Sequence, residues 1–219
     1  MADSAKKVVA VNCSPRLNWN TDILVQEAAK GAEAAGASIE KFNLYRLDKF
    51  SGCISCFGCK LPNNQGRCIC RDGLAPVLEA IRQADGLIIG TPNYLSDVSA
   101  ACRALYERLV FQAITYRKDA MFYPGKRIPV LFIMTSNVAR EDYGKYGYAP
   151  TIARYKTTLD AAVGPTEMFI CGDTLQVNDY SRYDWDMFDQ KAKQAHRDTQ
   201  FPADKAEAFR LGRALCGQV

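Results

Sequence analysis

The chain has 219 residues, of which 48% are hydrophobic and 24% charged, and its formal net charge is +4. A chain of this length can bury a substantial core, so we expect residues 1–219 to form a single domain. The small net charge argues against a nucleic-acid partner. Apolar runs stay well short of about 18 residues, and MADSAKK leads straight into an apolar segment without a signal peptide. These features predict a cytoplasmic protein without membrane association.

The first motif is a short apolar segment followed by a polar loop and a helix. Val8 to Val11 is rich in β-branched residues, which predicts a buried parallel strand. Apolar residues recur at helical spacing from Ile23 to Ala35, and Gly36 can end the helix. The first amides of such a helix lack internal partners and favour an anion at the positive end of the helix dipole. The loop side chains that can complete an anion site are Ser14, Arg16, Asn18, Asn20 and Thr21.

The same loop also has a purely structural interpretation, in which Asn20 or Thr21 caps the helix and no ligand binds. The motifs Gly-x-Gly-x-x-Gly and Gly-x-x-x-x-Gly-Lys-Ser/Thr are both absent, which disfavours a dinucleotide pyrophosphate and a nucleoside triphosphate. If the loop binds an anion, the sequence therefore predicts a single phosphate.

The rest of the chain alternates strands and helices. Further strands are predicted at 38–44, 86–90, 128–134 and 167–171, and further helices at 72–84, 99–113, 151–162 and 203–215. Residues 51–72 show no periodicity and form a Cys-rich insert after the second strand, while residues 172–219 should wrap the surface and end in the last helix. This alternation predicts an α/β fold with a doubly wound, five-stranded parallel sheet in the order 2-1-3-4-5.

Ligands of such a sheet bind beyond the carboxyl ends of its strands, beside strand 1, where two more loops should meet. The loop after the third strand offers a mixture suited to a flat heteroaromatic ring, namely Thr91, Pro92, Asn93, Tyr94, Leu95 and Ser96. The loop after the fourth strand offers Thr135, Ser136 and Asn137, with Tyr143, Tyr146 and Tyr148 as stacking groups. A phosphate loop beside a ring-binding loop predicts a mononucleotide site. Alternatively, each tyrosine only covers a strand end.

Five of the nine cysteines lie between positions 53 and 70, at Cys53, Cys56, Cys59, Cys68 and Cys70. In a reducing compartment, such a cluster more often binds metal or does redox work than forms structural disulfides. The compact triple of Cys53, Cys56 and Cys59 with Cys68 as fourth thiolate is the ligand set of a 4Fe-4S cluster, and Cys70 is a rival fourth ligand. A structural zinc site, a redox dithiol and free thiols remain alternatives.

Three stretches resemble the flavodoxin-like NADPH-dependent FMN reductases, especially their iron-sulfur flavoprotein branch. They are NCSPRLNWNT, TPNYLSDVSA, and the closing DTLQVNDYSRYDW with FPADKAEAFRLGRAL. The resemblance implies that the five side chains of the first loop hold the phosphate of FMN, that residues 91–96 line its ring, and that the cysteine triple binds the cluster. Two features depart from the family pattern. Trp19 replaces a small residue, and the loop after the fourth strand lacks a glycine-rich run.

The resemblance implies an oxidoreductase that passes electrons from NAD(P)H or a reduced carrier through FMN, with the 4Fe-4S cluster as a second carrier. Small-molecule or protein redox partners and a homodimer or homotetramer are expected. The alternatives are a non-enzymatic flavin electron carrier or redox-sensing module, and a cluster-free NAD(P)H-dependent quinone or azo reductase. The only histidine, His196, lies in a polar segment and is expected at the surface. No protein acid or base is predicted to be catalytic, because the cofactor carries the chemistry.

Overall fold

The structure is a computed structural model that describes residues 5–217, and these residues form six strands and five α-helices. The strands are β1 (Lys7–Asn12), β2 (Ser38–Asn43), β3 (Gly86–Tyr94), β4 (Asp97–Val98), β5 (Val130–Thr135) and β6 (Thr166–Cys171). The helices are α1 (Asn20–Ala34), α2 (Ala75–Gln83), α3 (Ala100–Ala113), α4 (Ala149–Ala162) and α5 (Gln190–Ala214). Within the described part of the chain, none of these helices has the length and hydrophobicity needed to cross a membrane.

Five of the strands are parallel and follow the order β2-β1-β3-β5-β6. The prediction of a parallel flavodoxin-like α/β sheet is confirmed, but the predicted five-strand order 2-1-3-4-5 is incomplete. The sixth strand, β4, pairs antiparallel with the end of β3, placing Asn93 opposite Val98 and Tyr94 opposite Asp97. A strand of two residues is too short to show a hydrophobic period, so the sequence predicted a loop there.

Two hydrophobic cores lie on the two faces of the sheet. Val9 and Val11 belong to the core that includes α2, α3 and α4, whereas Val8 and Ala10 belong to the core that includes α1 and α5. Every residue of β5 is buried, whereas β2 is an edge strand without a buried residue. Burial on both faces explains why the central strands are continuous apolar runs in the sequence.

The last helix is longer than predicted. The sequence suggested a start near Ala203, but Asp189 caps α5 by accepting hydrogen bonds from two first-turn amides at 2.8 and 3.1 Å. Pro202 therefore lies inside the helix. Packing against α1 offsets the hydrogen bond lost at this proline, since the two helices are so close that a Cβ on Gly212 would lie 1.9 Å from the Ala28 carbonyl oxygen. This contact fixes the last part of α5 against the middle of α1.

The cysteine segment, residues 51–72, connects β2 to α2 and contains only single turns of 3₁₀ helix, at Gly58–Lys60 and Pro62–Asn64. It packs over the carboxyl end of α3. There the Lys60 ammonium donates to the carbonyl of Phe111 and, at 2.6 Å, to that of Ile114. A cation at this end of a helix complements the helix dipole. The segment thus has a defined position without regular secondary structure.

Candidate functional site

The carboxyl ends of β1, β3 and β5 meet around a cavity of about 320 Å³. Ten of the fourteen predicted cofactor-binding residues line it, namely Ser14, Arg16, Asn20, Thr21, Pro92, Asn93, Tyr94, Thr135, Ser136 and Asn137. The three loops predicted to meet therefore do so. The C-terminal segment forms a fourth wall of this cavity, which was not predicted from the sequence. This wall consists of Thr174, Gln176, Val177 and Trp185.

The helix that follows the first loop has no side-chain cap. Trp19 occupies the N-cap position and makes no capping hydrogen bond, while Asn20 and Thr21 lie inside α1. The Asn20 amide instead donates to the Leu175 carbonyl at 2.8 Å, and the hydroxyls of Thr21 and Thr135 are 2.7 Å apart. The expectation that Asn20 or Thr21 caps the helix is therefore wrong. Within residues 5–217, the backbone amides of residues 19–22 have no hydrogen-bond acceptor, which leaves the donors that an anion needs.

Trp19 lies between two arginines. The Arg16 guanidinium is 5.5 Å from the centroid of its ring and the Arg197 guanidinium is 5.7 Å from it. Arg197 also donates to the Asn20 side-chain oxygen and packs 3.7 Å from the centroid of Phe201. Sequence reasoning missed Arg197 because it lies on α5, 177 positions from Asn20. The indole of Trp19 thus connects the loop to α5. This contact gives a structural reason for tryptophan at a position where the family pattern has a small residue.

Asn18 shapes the loop and does not line the cavity. Its backbone is left-handed, with φ of 54°, and its amide donates to the Asp22 carboxylate at 2.8 Å. Asp22 is buried at the start of α1 and is paired with Lys41 at 2.7 Å. Because Lys41 compensates the carboxylate, Asp22 can hold the loop without leaving a net negative charge beside the anion site.

The segment after β3 is mostly strand and not loop. β3 continues to Tyr94 because its end pairs with β5 on one side and with β4 on the other. Thr91 is fully buried, and its hydroxyl accepts from the Ser99 amide at 3.1 Å and donates to the Pro92 carbonyl at 3.0 Å. The Thr91 hydroxyl thus already donates one hydrogen bond and accepts another within the protein. Thr91 therefore supports the wall from behind and does not line the cavity.

Leu95 and Ser96 form the turn of the β3–β4 hairpin, with φ of 52° and 68°. Two successive left-handed residues are typical of a two-residue hairpin turn. Leu95 is fully exposed at the tip, and neither residue lines the cavity. Tyr94 does line it. Burial raises the pKa of the Tyr94 phenol and the nearby charge of Arg16 opposes this effect.

The loop after β5 presents a buried acceptor to the cavity. The Asn137 side-chain oxygen is buried and has no hydrogen-bond partner among the described residues, while its backbone carbonyl accepts from the Lys193 ammonium at 3.0 Å. An unpaired buried carbonyl is costly, so this oxygen is suited to accept from a ligand N–H. His196, also on α5, does not line the cavity. The predicted stacking groups Tyr143, Tyr146 and Tyr148 pack on one another outside it.

All five clustered cysteines line a second cavity of about 20 Å³ against α3. Left-handed residues flank Cys56, with φ of 53° at Ser55 and 54° at Phe57, and strain of this kind is concentrated at functional sites. Burial raises the pKa of the Cys59 thiol, and the charge of Lys60 opposes it. However, the described residues contain no group of three or more side chains already arranged as metal ligands. The predicted ligands Cys53, Cys56, Cys59 and Cys68 are thus neighbours without forming a finished ligand set.

A buried arginine lies beside these thiols. The guanidinium of Arg108 is 2.6 Å from both carboxylate oxygens of Asp72 and donates to the Cys70 carbonyl at 3.2 Å. The backbone amide of Cys68 donates to Gln112 of the same helix at 2.9 Å. These bonds hold the backbone around Cys68 and Cys70 on α3. Burial raises the pKa of the Cys70 thiol, and the charge of the nearby Arg108 opposes this effect.

Comparison with known proteins places the chain in a family. Residues 6–141 match the NADPH-dependent FMN reductases. An iron-sulfur flavoprotein of Methanocaldococcus jannaschii is 34% identical over 102 residues, and one of Archaeoglobus fulgidus is 31% identical over 104 residues. Each match covers 47% of this chain, and 51% and 48% of the respective relative. The chain therefore spans about half the length of the curated relatives it matches.

Solved structures extend the likeness of fold to almost the whole chain. An NAD(P)H:quinone oxidoreductase from Methanothermobacter marburgensis has a TM-score of 0.72 at 18% identity, covering 97% of this chain and all of the other. An azoreductase from Bacillus anthracis has a TM-score of 0.64 at 12% identity, covering 95% of this chain and 99% of the other. At these identities the likeness concerns the fold alone. Because the family match spans more than half of the 219 residues, the chain belongs to the NADPH-dependent FMN reductase family.

Proposed function

We propose that this protein binds FMN in the 320 Å³ cavity and is an oxidoreductase that accepts electrons from NAD(P)H or a reduced carrier. One observation carries the proposal. The amides of residues 19–22 have no acceptor within the described residues, and Trp19 to Thr21 line the same cavity as Pro92 and Tyr94. Anion donors and apolar ring-binding residues around one cavity match the two halves of a mononucleotide.

The phosphate end fits on chemical grounds. Free amides lie at the positive end of α1, and Ser14 and Arg16 line the same cavity, where the Arg16 guanidinium also donates to the Gln176 carbonyl at 2.6 Å. Hydrogen bonds from such donors to a phosphate are charge-assisted and therefore stronger than those to a neutral group. The buried indole N–H of Trp19 also lacks a partner among the described residues. These donors would hold and orient the phosphate.

The ring end fits as well. Pro92 and Tyr94 give a flat apolar surface, and the unpartnered oxygen of Asn137 is an acceptor for a ring N–H. Lys193 fixes the backbone of Asn137 and so keeps this acceptor in place. FMN, when bound, supplies both hydride and single-electron chemistry. The protein contributes position, exclusion of water and hydrogen bonds, and no side chain is assigned as an acid or base.

The test is the affinity for two flavins that differ only in the phosphate. The purified protein should be yellow, and substitution Arg16→Ala should weaken FMN by roughly tenfold or more while leaving riboflavin nearly unchanged. Arg213→Ala removes the same charge at the far end of α5 and is the control. Fluorescence titration of the three apoproteins with the two flavins measures all six affinities. A colourless protein that takes up no added FMN contradicts the proposal, and equal weakening of both flavins removes Arg16 from the phosphate site.

We also propose that Cys53, Cys56, Cys59 and Cys68 bind a 4Fe-4S cluster. The proposal is supported by four thiolate donors around one cavity and by the iron-sulfur flavoprotein relatives. Iron and acid-labile sulfide should be present after anaerobic purification. Cys68→Ser should abolish both, whereas Cys70→Ser should retain them. The opposite pattern would make Cys70 the fourth ligand, and zinc without sulfide would indicate a structural zinc site.

A cluster-free quinone or azo reductase is the second candidate, supported by the likeness of fold to an NAD(P)H:quinone oxidoreductase and an azoreductase. It requires that the triple variant with serine at positions 53, 56 and 59 keeps full NAD(P)H-dependent quinone reduction. A non-enzymatic carrier would show no steady-state NAD(P)H oxidation with any small acceptor. A homodimer or homotetramer remains part of the proposal, and sedimentation equilibrium measures it directly.

A further inference from the structure

The arginine that anchors the cysteine segment has one donor without a partner. Arg108 is 2% exposed, and its terminal nitrogens donate to the Asp72 carboxylate and to the Cys70 carbonyl. Its Nε–H is also buried, and among the described residues it has no hydrogen-bond acceptor. A buried donor without an acceptor costs free energy. The anchoring contacts therefore leave one N–H of this guanidinium available for a further partner.

The surroundings of Arg108 point to a sulfur as that partner. Arg108 lines the 20 Å³ cavity together with all five clustered cysteines, and the rest of the lining is apolar except for Gln112. The Gln112 side chain already accepts from the Cys68 amide. Burial lowers the pKa of Arg108, whereas Asp72 and the Cys68 sulfur beside the guanidinium raise this pKa by more. Within residues 5–217, the guanidinium thus contacts Cys70 through its carbonyl and Cys68 through its sulfur.

A hydrogen bond from an arginine N–H to a cysteine sulfur matters for metal binding. A neutral thiol is a weak acceptor, whereas the thiolate that binds metal carries a full negative charge. Donors to the ligand atoms orient the ligands and tune the metal. Hydrogen bonds to the sulfurs of an iron-sulfur cluster also help to set its reduction potential. An arginine suits this role because it keeps all of its N–H donors in proteins.

We propose that the Nε–H of Arg108 donates to the thiolate sulfur of Cys68 and that this bond makes Cys68, and not Cys70, the fourth metal ligand. The inference rests on the proposed metal site, because only a thiolate is a strong acceptor for this donor. Arg108 is a positioning residue in this role, since it orients a ligand and does not bind the metal itself. Asp72 holds the guanidinium in place and balances its charge, so Arg108 contributes a directed N–H and not a net charge.

The first test is a double-mutant cycle with Co²⁺ as the probe. Thiolate-bound Co²⁺ absorbs in the near ultraviolet, so anaerobic titration of the reduced apoprotein gives an affinity without cluster assembly. Arg108→Lys keeps a cation for Asp72 but removes the Nε–H, and should weaken Co²⁺ binding by roughly tenfold. In the Cys68→Ser background the same substitution should change the affinity by less than about twofold. In the Cys70→Ser background the weakening should again be roughly tenfold.

Two controls separate this role from anchoring alone. Arg117→Lys is the same exchange at an exposed arginine and should leave the Co²⁺ affinity unchanged. Asp72→Asn disturbs the anchor but keeps the Nε–H, so its effect should be the same in the wild-type and the Cys68→Ser backgrounds. Unchanged affinity in Arg108→Lys overturns the inference. Equal weakening by Arg108→Lys in the wild-type and Cys68→Ser backgrounds, or weakening that disappears in the Cys70→Ser background, also overturns it.

A second measurement uses the wild-type protein and does not depend on how well a variant folds. Cd²⁺ binds thiolates and is suited to nuclear magnetic resonance. The Nε–H proton of Arg108 should move downfield when the reduced apoprotein is loaded with Cd²⁺, and its exchange with water should slow by roughly tenfold or more, because a charge-assisted bond has formed. An Nε–H resonance that is the same with and without Cd²⁺ contradicts the proposed bond.

The reduction potential distinguishes failure of this inference from failure of the proposed function. In cluster-loaded protein, Arg108→Lys should favour the oxidised cluster by roughly tenfold, which is a fall of about 59 mV for a one-electron couple. Arg117→Lys should leave the potential unchanged. If the wild-type protein contains no iron and sulfide, the proposed cluster fails, and the Co²⁺ cycle still decides the role of Arg108. If a cluster is present and Arg108→Lys leaves its potential unchanged, only the role of Arg108 is wrong.

Discussion

The proposed phosphate loop, residues 13–21, differs from the cysteine segment in how fully the fold alone positions its ligand-binding groups. Both connect a strand to a helix, and both were recognised from local motifs. The donors of the phosphate loop are mostly backbone amides, which are positioned once α1 has formed and packed against α5. The donors of the cysteine segment are side-chain thiols, and they are neighbours without being arranged as ligands. The backbone donors are therefore positioned by the fold, whereas the thiols would be arranged as ligands only on binding of the proposed cluster.

The largest expected effect comes from the anchor of the cysteine segment. Substitution Arg108→Met removes a buried guanidinium and leaves Asp72 without its partner, so the free energy of unfolding should fall by about 3 kcal/mol. Urea denaturation of the apoprotein measures this change. The affinity for FMN should stay the same, because the phosphate loop makes none of these contacts. Arg117→Gln, which breaks a fully exposed pair with Asp119, is the control and should have no measurable effect.

A loss of FMN affinity in the Arg108 variant would show that the two regions depend on each other. Unchanged stability would show that the cysteine segment is held by other contacts, such as those of Lys60.

A smaller effect is expected from the anchor of the phosphate loop. Substitution Arg197→Gln removes the contact to Asn20 and the stacking on Trp19, and should weaken FMN roughly tenfold, or about 1.4 kcal/mol. The rate at which iodoacetamide modifies the exposed Cys56 should not change. Arg213→Gln, exposed at the far end of the same helix, is the control. Wild-type affinity in the Arg197 variant would contradict the idea that α5 fixes the loop.

The smallest effect is expected at the amino ends of the strands, where Asp85 precedes β3. Hydrogen bonds from Lys126 and from the Lys7 amide lower the pKa of Asp85. A carboxyl whose pKa is lower in the folded state stabilises the fold above its unfolded pKa, about 3.9, and loses this contribution as the pH falls through the folded value. Because Asp85 is one-third exposed, the contribution should be about 1 kcal/mol or less.

The measurement for Asp85 is the difference in urea stability between wild type and Asp85→Asn at two pH values. The wild-type protein should be the more stable one at pH 6, and the difference should be smaller at pH 3, below the unfolded pKa of about 3.9. A difference that is independent of pH would assign the effect to the amide side chain and not to charge. FMN affinity should be the same in both proteins at pH 6.

Much of the fold and of the candidate site follows from local patterns. The buried runs of β1 and β5 predicted central strands because both of their faces are covered. Polar residues directly after β1, β3 and β5 identified the loops around the cavity, because the carboxyl ends of parallel strands share one edge. In contrast, β4 and the first half of α5 were missed. The strand β4 is too short to show a hydrophobic period. The helix α5 begins in a polar segment that is helical because Asp189 caps it.

The sequence by itself determined the parallel α/β class, the three loops at the site and the clustering of the cysteines, because these depend on periodicity and on motifs of neighbouring residues. Only the tertiary structure decided which residues of the loops face the cavity. In the structure, Thr91 and Asn18 make internal hydrogen bonds and do not line the cavity, and the start of α1 has no side-chain cap. Arg197 and Trp185, which are distant in sequence, lie at the site. Such contacts depend on how helices and strands pack across long sequence separations, and local patterns do not encode that packing.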